Sequence, residues 1–237
     1  MYSTIISSEN LNNILNDKDL IIFDCRFDLM KKNLGYDKYL ESHICGAHYI
    51  NLELDLSSEV TNNSGRHPLQ TIKKFTDILN NFGINNNSQV VVYDDENSSM
   101  AARLWWMLRL VGIKKSAVLD GGFKSWTKKK FSVDNLIPKN KVKENIEYAY
   151  NSNYLIDTMS LKKMLLDSDS MYLVDARDKE RFLGRIEPID KKAGHILGAI
   201  NMPFKNNLNQ NGTFKNTLDL KKNFTSIESN NSKAIIN

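Results

Sequence analysis

The sequence predicts an α/β protein of two similar domains with mainly parallel central sheets, of which the second is incomplete. One observation is a repeat: Asp24-Cys25-Arg26 and His43-Ile44-Cys45-Gly46-Ala47 return about 150 residues further on as Asp175-Ala176-Arg177 and His195-Ile196-Leu197-Gly198-Ala199. Another is the alternation of short apolar runs with stretches of helical periodicity, which favours a parallel sheet flanked by crossover helices. The 237 residues are also enough for two domains of ordinary size.

Four apolar runs in the first domain are typical of buried parallel strands. They are Leu20-Ile21-Ile22-Phe23, Tyr49-Ile50-Asn51-Leu52, Val90-Val91-Val92-Tyr93 and Ala117-Val118-Leu119. Helical periodicity predicts a helix over residues 72–79, which Phe82-Gly83 ends, and another over residues 101–111, which Gly112 ends. Pro68 is expected in the first turn of the earlier helix.

The two domains are predicted over residues 1–130 and 155–237, with a linker between them. The predicted elements of the second domain are a helix over residues 160–166 with Ser160 as N-cap, a strand at Met171-Tyr172-Leu173-Val174, a helix over residues 218–224 and a strand beginning at Ala234. This last strand aligns with Val90-Val91-Val92 of the first domain, and the chain ends at Asn237 inside it. The loop, helix and strand that follow in the first domain have no counterpart, so the second domain is expected to be incomplete.

Composition and charge exclude several classes of function. The net charge of +4 is spread thinly, without a basic stripe interleaved with aromatic residues, so no nucleic-acid partner is expected. The most apolar window, residues 104–113, contains Arg109 and is much shorter than a bilayer span, so no membrane partner is expected. The N-terminus has no secretory signal, and Cys25 and Cys45 are the only cysteines, which favours a cytoplasmic location. No histidines, cysteines and carboxylates have the spacing of a metal site, and no cofactor is expected.

Six motifs, taken in order along the chain, resemble those of a known family. They are Asp24-Cys25-Arg26, His43-Ile44-Cys45-Gly46-Ala47, Gly65-Arg66-His67-Pro68-Leu69, Ala101-Ala102-Arg103-Leu104-Trp105-Trp106, Leu119-Asp120-Gly121-Gly122 with Trp126, and Asp175-Ala176-Arg177 with Gly194-His195-Ile196. Each motif alone is weak evidence, and the ordered, duplicated set is strong evidence. The chain resembles the tandem rhodanese family, the thiosulfate and 3-mercaptopyruvate sulfurtransferases, over nearly its whole length.

The resemblance implies an enzyme that moves sulfane sulfur from a small donor, thiosulfate or 3-mercaptopyruvate, to a thiol or cyanide acceptor. In this family the first domain is catalytically silent, and the second carries a cysteine after its fourth strand that takes the sulfur as a persulfide. Asp94 stands at the silent position of the first domain. The active cysteine is expected just past Asn237, so the chain is expected to be truncated before the active-site loop and to be inactive as given.

The resemblance also identifies Arg181 as the arginine that binds the donor, because it follows the second Asp-x-Arg motif. A guanidinium at this position would hold the sulfonate or carboxylate of a donor, and Arg185 would assist it. The alternative is a surface arginine at the start of a helix. The 3-mercaptopyruvate branch carries a second arginine where this chain has Ile189-Asp190, and this departure favours thiosulfate or another donor.

Two cysteines and two histidines remain as candidates for catalysis. Cys25 and Cys45 are interpreted as small buried side chains rather than nucleophiles, because neither precedes a phosphate-like loop. His43 and His195 recur in both domains, one of which is expected to be silent. This recurrence favours a structural hydrogen bond over a role as general base.

Two other functions stay open at this point. A non-enzymatic rhodanese-like binding module is the alternative from a different class. A dual-specificity phosphatase on the same fold would also need a loop cysteine. The coding sequence past Asn237 separates the enzyme from the module, because a cysteine loop there supports the enzyme and a stop codon supports the module.

Overall fold

A computed structural model describes residues 1–143, 148–166, 171–228 and 234–236 of the chain. The chain forms two compact units, Met1–Ser152 with Asn211–Thr213 and Asn153–Gln210 with Phe214–Asn237. Each unit combines helices with a parallel sheet, which confirms the predicted α/β class. Within the described residues, no helix is long and apolar enough to span a membrane.

The first unit alternates strands and helices along the chain. Its elements are β1 (Ile5–Ile6), α1 (Ser8–Asn13), β2 (Leu20–Asp24), α2 (Leu34–Glu41), β3 (His43–Ile44), β4 (Ala47–Tyr49), α3 (Ile72–Asn81), β5 (Gln89–Tyr93), α4 (Ser99–Leu110), β6 (Ser116–Leu119), α5 (Gly122–Lys128) and β7 (Val133–Asp134). Strand β5 is the middle strand of a sheet with the order β1-β6-β5-β2-β4, in which every neighbouring pair is parallel. Strands β3 and β7 form a separate antiparallel pair.

Side chains of β2 and β5 alternate between the two faces of this sheet. Ile21 and Val90 belong to a core cluster that includes residues of α3 and α4. Ile22 and Val91 belong to a second cluster, with Trp126 of α5. Because apolar side chains cover both faces, the central strands are uninterrupted apolar runs, as the sequence pattern predicts.

Two boundaries in the first unit differ from the sequence prediction. The second predicted strand lies at Ala47–Tyr49 rather than at residues 49–52, because the Asn51 side chain accepts hydrogen bonds from two following N–H groups and starts a turn. Pro68 is not in the first turn of α3, because this segment is extended and Thr71 caps the helix with its side chain.

The second unit repeats the order of the first. Its elements are α6 (Thr158–Leu165), β8 (Met171–Asp175), α7 (Lys179–Phe182), β9 (Ile200–Asn201), α8 (Thr217–Glu228) and β10 (Ala234–Ile236). They include a parallel sheet with the order β10-β8-β9, in which Ile236 pairs with Leu173. The predicted strand beginning at Ala234 is therefore confirmed, whereas Asn237 lies outside the described residues.

The predicted N-cap of the first helix in this unit, Ser160, is wrong. Helix α6 begins at Thr158, and the carboxylate of Asp157 accepts hydrogen bonds from the N–H groups of Met159 and Ser160 at 2.8 and 2.9 Å. Aspartate and serine are equally good N-caps, so the sequence alone did not decide between these two positions.

Candidate functional site

The Asp-x-Arg motif makes the same contacts in both units. Arg26 donates to the Asp24 carboxylate from its backbone N–H at 2.9 Å and from Nη2 at 2.6 Å, and its Nη2 also donates to a backbone carbonyl at 2.6 Å. Arg177 makes the corresponding bonds to Asp175 and to a carbonyl at the same three distances. These charge-assisted bonds fix the chain where it leaves β2 and β8, so the duplicated motif provides a duplicated scaffold.

The two histidines of the repeat also occupy equivalent surroundings. Nδ1 of His43 lies 2.7 Å from the carbonyl oxygen of Tyr39, and the two rings stack at 4.0 Å. Nδ1 of His195 lies 2.7 Å from the carbonyl oxygen of Phe182, and these rings stack at 3.7 Å. The predicted structural hydrogen bond is confirmed in both units.

Asp94 directly follows β5, and its carboxylate lies at the N-terminus of α4. Oδ1 accepts a hydrogen bond from the N–H of Ser98 at 3.0 Å, and Oδ2 accepts from the N–H groups of Met100 and Ala101 at 2.9 and 3.2 Å. Ser98 reaches this arrangement in the left-handed region, at a φ of 64°, which is uncommon for a residue other than glycine. Asp94 thus places its own carboxylate at a helix N-terminus, the kind of position where anions bind.

The electrostatics of Asp94 are a balance between burial and hydrogen bonding. Burial raises the pKa of this carboxyl group, while the three N–H donors act in the opposite direction. The side chain is enclosed in the protein and has no sulfur atom to carry a persulfide. Asp94 therefore acts as an internal acceptor for the end of α4.

In the second unit, a cavity of about 630 Å³ lies at the carboxyl end of β8. Arg177, Arg181 and Lys205 line it together with apolar side chains such as Leu173 and Phe204. Because β10 runs parallel to β8, the carboxyl ends of both strands lie at the same edge of the sheet. This edge is where open parallel sheets commonly bind ligands.

Arg181 belongs to α7, and two carboxylates hold its guanidinium. Its Nε donates to Glu187 Oε2 at 3.2 Å, and its Nη2 donates to Glu187 Oε1 at 2.8 Å. The same Nη2 donates to Asp190 Oδ2 at 2.8 Å. The arginine predicted from the sequence therefore lies at the cavity, but as the centre of an ion-pair cluster.

Glu187 and Asp190 are the residues of this cluster that sequence reasoning missed. The side chain of Glu187 is only 5% exposed, and it also lies 3.5 Å from Nη1 of Arg177. Hydrogen bonds from the N–H of Asp190 and from Arg181 are the main causes that lower the pKa of Glu187 to about 2, so it is ionised at neutral pH. The only sequence signal was an acidic residue six positions after Arg181.

Arg185, the second candidate, is not brought together with Arg181 at the cavity. Its side chain is 65% exposed, and its Nη1 donates to Glu180 at 3.2 Å. It is absent from the described residues that line the cavity. A direct contact between Arg185 and a ligand there has no structural support.

Neither cysteine is in surroundings that favour a thiolate. Cys25 is buried, and burial followed by the nearby charges of Asp24 and Asp94 raises its pKa well above the usual value. Cys45 is half-buried, and burial followed by a hydrogen bond to Asp134 raises its pKa. Because the thiolate is the reactive form, both sites oppose nucleophilic attack. Among the described residues, no group of three histidines, cysteines or carboxylates could hold a metal ion.

Comparison with protein families matches the rhodanese-like domain twice, at residues 7–129 and 157–237. A "Probable 3-mercaptopyruvate sulfurtransferase" of Pseudomonas aeruginosa is 35% identical over 229 residues, which cover 94% of this chain and 78% of the relative. The thiosulfate sulfurtransferase of Bos taurus is 32% identical over 194 residues, which cover 79% of this chain and 63% of the relative. The chain belongs to the rhodanese-like domain family, in its tandem form.

Solved structures with the same fold include two 3-mercaptopyruvate enzymes. The 3-mercaptopyruvate sulfurtransferase from Leishmania major gives a TM-score of 0.84 at 25% identity and covers 98% of this chain and 65% of the other. SseA from Escherichia coli, a 3-mercaptopyruvate sulfotransferase, gives a TM-score of 0.83 at 25% identity and covers 99% of this chain and 87% of the other. The fold and family that the sequence motifs predict are confirmed.

Proposed function

We propose that the protein is a sulfurtransferase that moves sulfane sulfur from thiosulfate or 3-mercaptopyruvate to a thiol or cyanide acceptor through a cysteine persulfide. The guanidinium of Arg181 at the cavity beside β8, in a chain of this family, is the observation that carries the proposal. The same proposal assigns the two domains to residues 1–130 and 155–237. The first domain is proposed to be catalytically silent, with Asp94 at the silent position. The free thiols of the chain fit a reducing compartment, and we propose the cytoplasm.

The chemistry assigns Arg181 a binding role. In transfer from thiosulfate, a cysteine thiolate attacks the outer sulfur, a new S–S bond forms, and sulfite leaves with the electron pair of the old S–S bond. An acceptor thiolate or cyanide then removes the outer sulfur and restores the thiolate. Arg181 would hold the anionic oxygens of the donor by charge-assisted hydrogen bonds and so fix its orientation.

We also propose that neither cysteine of this chain carries the sulfur, so that the 237-residue chain is inactive on its own. Burial raises the pKa of both Cys25 and Cys45, which keeps the thiols protonated. The helix N-terminus of the first unit that would stabilise an anion is occupied by the carboxylate of Asp94.

Transfer assays on the purified chain test the proposed inactivity. The assays use thiosulfate with cyanide and 3-mercaptopyruvate with a thiol. The thiosulfate sulfurtransferase of Bos taurus and the 3-mercaptopyruvate sulfurtransferase from Leishmania major serve as the respective controls that the assays work. We expect no turnover above a reaction without protein. Turnover that disappears in Cys25→Ser or Cys45→Ser would place the sulfur carrier in the first unit and refute this part of the proposal.

A non-enzymatic binding module is the second candidate, and one observation favours it. Each of the cavity cations Arg177, Arg181 and Lys205 has a carboxylate partner, at 2.6, 2.8 and 2.7 Å. Titration of the parent chain and of Arg181→Ala with thiosulfate separates the two functions. Binding that depends on Arg181 supports the sulfurtransferase, and equal behaviour of the two proteins supports the module.

A further inference from the structure

We propose that the two carboxylates on Arg181 have opposite effects on an anionic sulfur donor: Glu187 positions the guanidinium, and Asp190 competes with the donor for it. The inference rests on the proposed function, because it concerns how Arg181 would hold the donor. Both residues carry the same charge and contact the same Nη2, so the difference between them comes from their surroundings.

Glu187 is built into the structure around the arginine. Its side chain is 5% exposed and bridges Arg181 to Arg177. The N–H groups of Ile189 and Asp190 donate to its Oε1 at 3.1 and 2.9 Å. If Glu187 left, two guanidinium groups would lose a shared counter-ion and the loop would lose two hydrogen bonds. Glu187 therefore stays in place when a ligand arrives, and it fixes the direction of Arg181.

Asp190 is much more exposed to solvent than Glu187. Its side chain is 40% exposed and bonds to Nη2 of Arg181 at 2.8 Å. An exposed carboxylate is solvated by water when it turns away, and an exposed ion pair contributes little stability. An anion that approaches Nη2 from the cavity either displaces this carboxylate or binds beside a like charge. In both cases Asp190 lowers the affinity of Arg181 for the donor.

The balance of formal charge supports this view. Arg177 and Arg181 face the three carboxylates Asp175, Glu187 and Asp190, so the cluster carries a net charge of about −1 before any ligand binds. Removal of the charge on Asp190 makes this cluster of five residues neutral and leaves the three hydrogen bonds from Arg181 to Glu187 in place. Removal of the charge on Glu187 changes the net charge by the same amount but releases the arginine.

Two isosteric substitutions therefore separate positioning from charge. Thiosulfate is titrated into the 237-residue chain and into Asp190→Asn and Glu187→Gln, with binding followed by calorimetry at low and high salt. We expect Asp190→Asn to bind thiosulfate about threefold to tenfold more tightly at low salt, and less so at high salt. We expect Glu187→Gln to bind about tenfold more weakly, as for loss of an orienting partner.

Asp219→Asn is the matched control, because Asp219 is 45% exposed and pairs with Lys222 in α8. It removes the same charge and should leave thiosulfate affinity unchanged. The double variant Arg181→Ala/Asp190→Asn should lose the gain, because Asp190 acts through the arginine. Circular dichroism of each variant verifies folding, and the Asp190→Asn arm alone tests the competition if Glu187→Gln does not fold.

The outcomes distinguish this inference from the proposed function. Tighter binding in both variants would mean that only net charge matters, and weaker or unchanged binding in Asp190→Asn would mean that Asp190 does not compete. Either result overturns the inference while Arg181-dependent binding in the parent chain leaves the proposed function intact. If Arg181→Ala binds thiosulfate as the parent does, or if no variant binds it, the donor site and this inference both fall.

Discussion

Replacement of Asp94 by alanine should destabilise the first unit by about 3 kcal/mol. The substitution removes the acceptor of three N–H groups, those of Ser98, Met100 and Ala101. Loss of an N-cap acceptor costs about 0.5–2 kcal/mol, and a buried donor left without a partner costs about 1–3 kcal/mol. Water that enters the vacated space offsets part of the second cost, which gives a net value near the middle of the combined range.

Tryptophan fluorescence gives a readout that is specific to this unit, because Trp105, Trp106 and Trp126 are the only tryptophans and all lie in it. Urea titration followed by fluorescence measures the free energy of unfolding. In a thermal scan, a loss of this size should lower the Tm by about 6–12 °C for a unit of roughly 150 residues. Asp94→Asn should lie between alanine and the parent, because the amide keeps one acceptor oxygen.

Asp95→Ala is the control for this experiment. The Asp95 side chain is 51% exposed and forms an ion pair with Lys38. Its removal should change the free energy of unfolding by no more than about 0.5 kcal/mol. If Asp94→Ala changed stability as little as Asp95→Ala, with an unchanged dependence on urea, the loop before α4 would not be held by Asp94. The account of Asp94 as an internal hydrogen-bond acceptor would then be refuted.

Two further predictions concern the second unit. Brief trypsin digestion should cleave the second unit before the first unit. Leu166 and Leu197 of the second unit are each 90% exposed, and the described residues of that unit bury few apolar side chains. A stable fragment from the second unit would contradict this prediction. Hydrogen bonds from Arg177 hold the pKa of Asp175 below its usual range, so its stabilising contribution is present above about pH 4 and is lost as the pH falls further. Asp175→Asn should therefore flatten the acid dependence of unfolding, and circular dichroism between pH 2 and 7 would reveal an unchanged slope if the assignment is wrong.

Much of the fold follows from local sequence patterns, because the strands are buried on both faces. Val90-Val91-Val92-Tyr93 is apolar at every position, so its type and its place in the centre of a sheet were predictable. Errors arose where a polar side chain accepts hydrogen bonds from N–H groups two or three residues further along the chain. Asp157 rather than Ser160 caps α6, and the Asn51 side chain ends a strand that the residue pattern alone would extend.

The candidate site was predictable only in part. Arg181 could be found because the family that the motifs resemble has a donor-binding arginine just after its second Asp-x-Arg motif. Its partners could not, because a contact across six or nine residues depends on how the intervening loop turns. Gly184, in the left-handed region at a φ of 72°, is one residue of that loop whose conformation the sequence leaves open. The role of Arg185 stays a prediction that the geometry does not support.

The Asp-x-Arg ion pair is repeated in both units, but its exposure to solvent differs between them. The repeated motif therefore cannot by itself explain a difference in function. The pair Asp24–Arg26 is buried, with side chains 0% and 3% exposed, whereas Asp175–Arg177 is 14% and 29% exposed with the same Nη2–Oδ2 distance of 2.6 Å. Loss of one partner from a buried pair costs about 3–5 kcal/mol, and an exposed pair contributes much less. The main role of the motif is therefore structural: its ion pair fixes the chain at the end of a strand. Any difference in function between the units must come from the residues that follow this scaffold, an internal carboxylate at Asp94 in one and a cavity with Arg181 in the other.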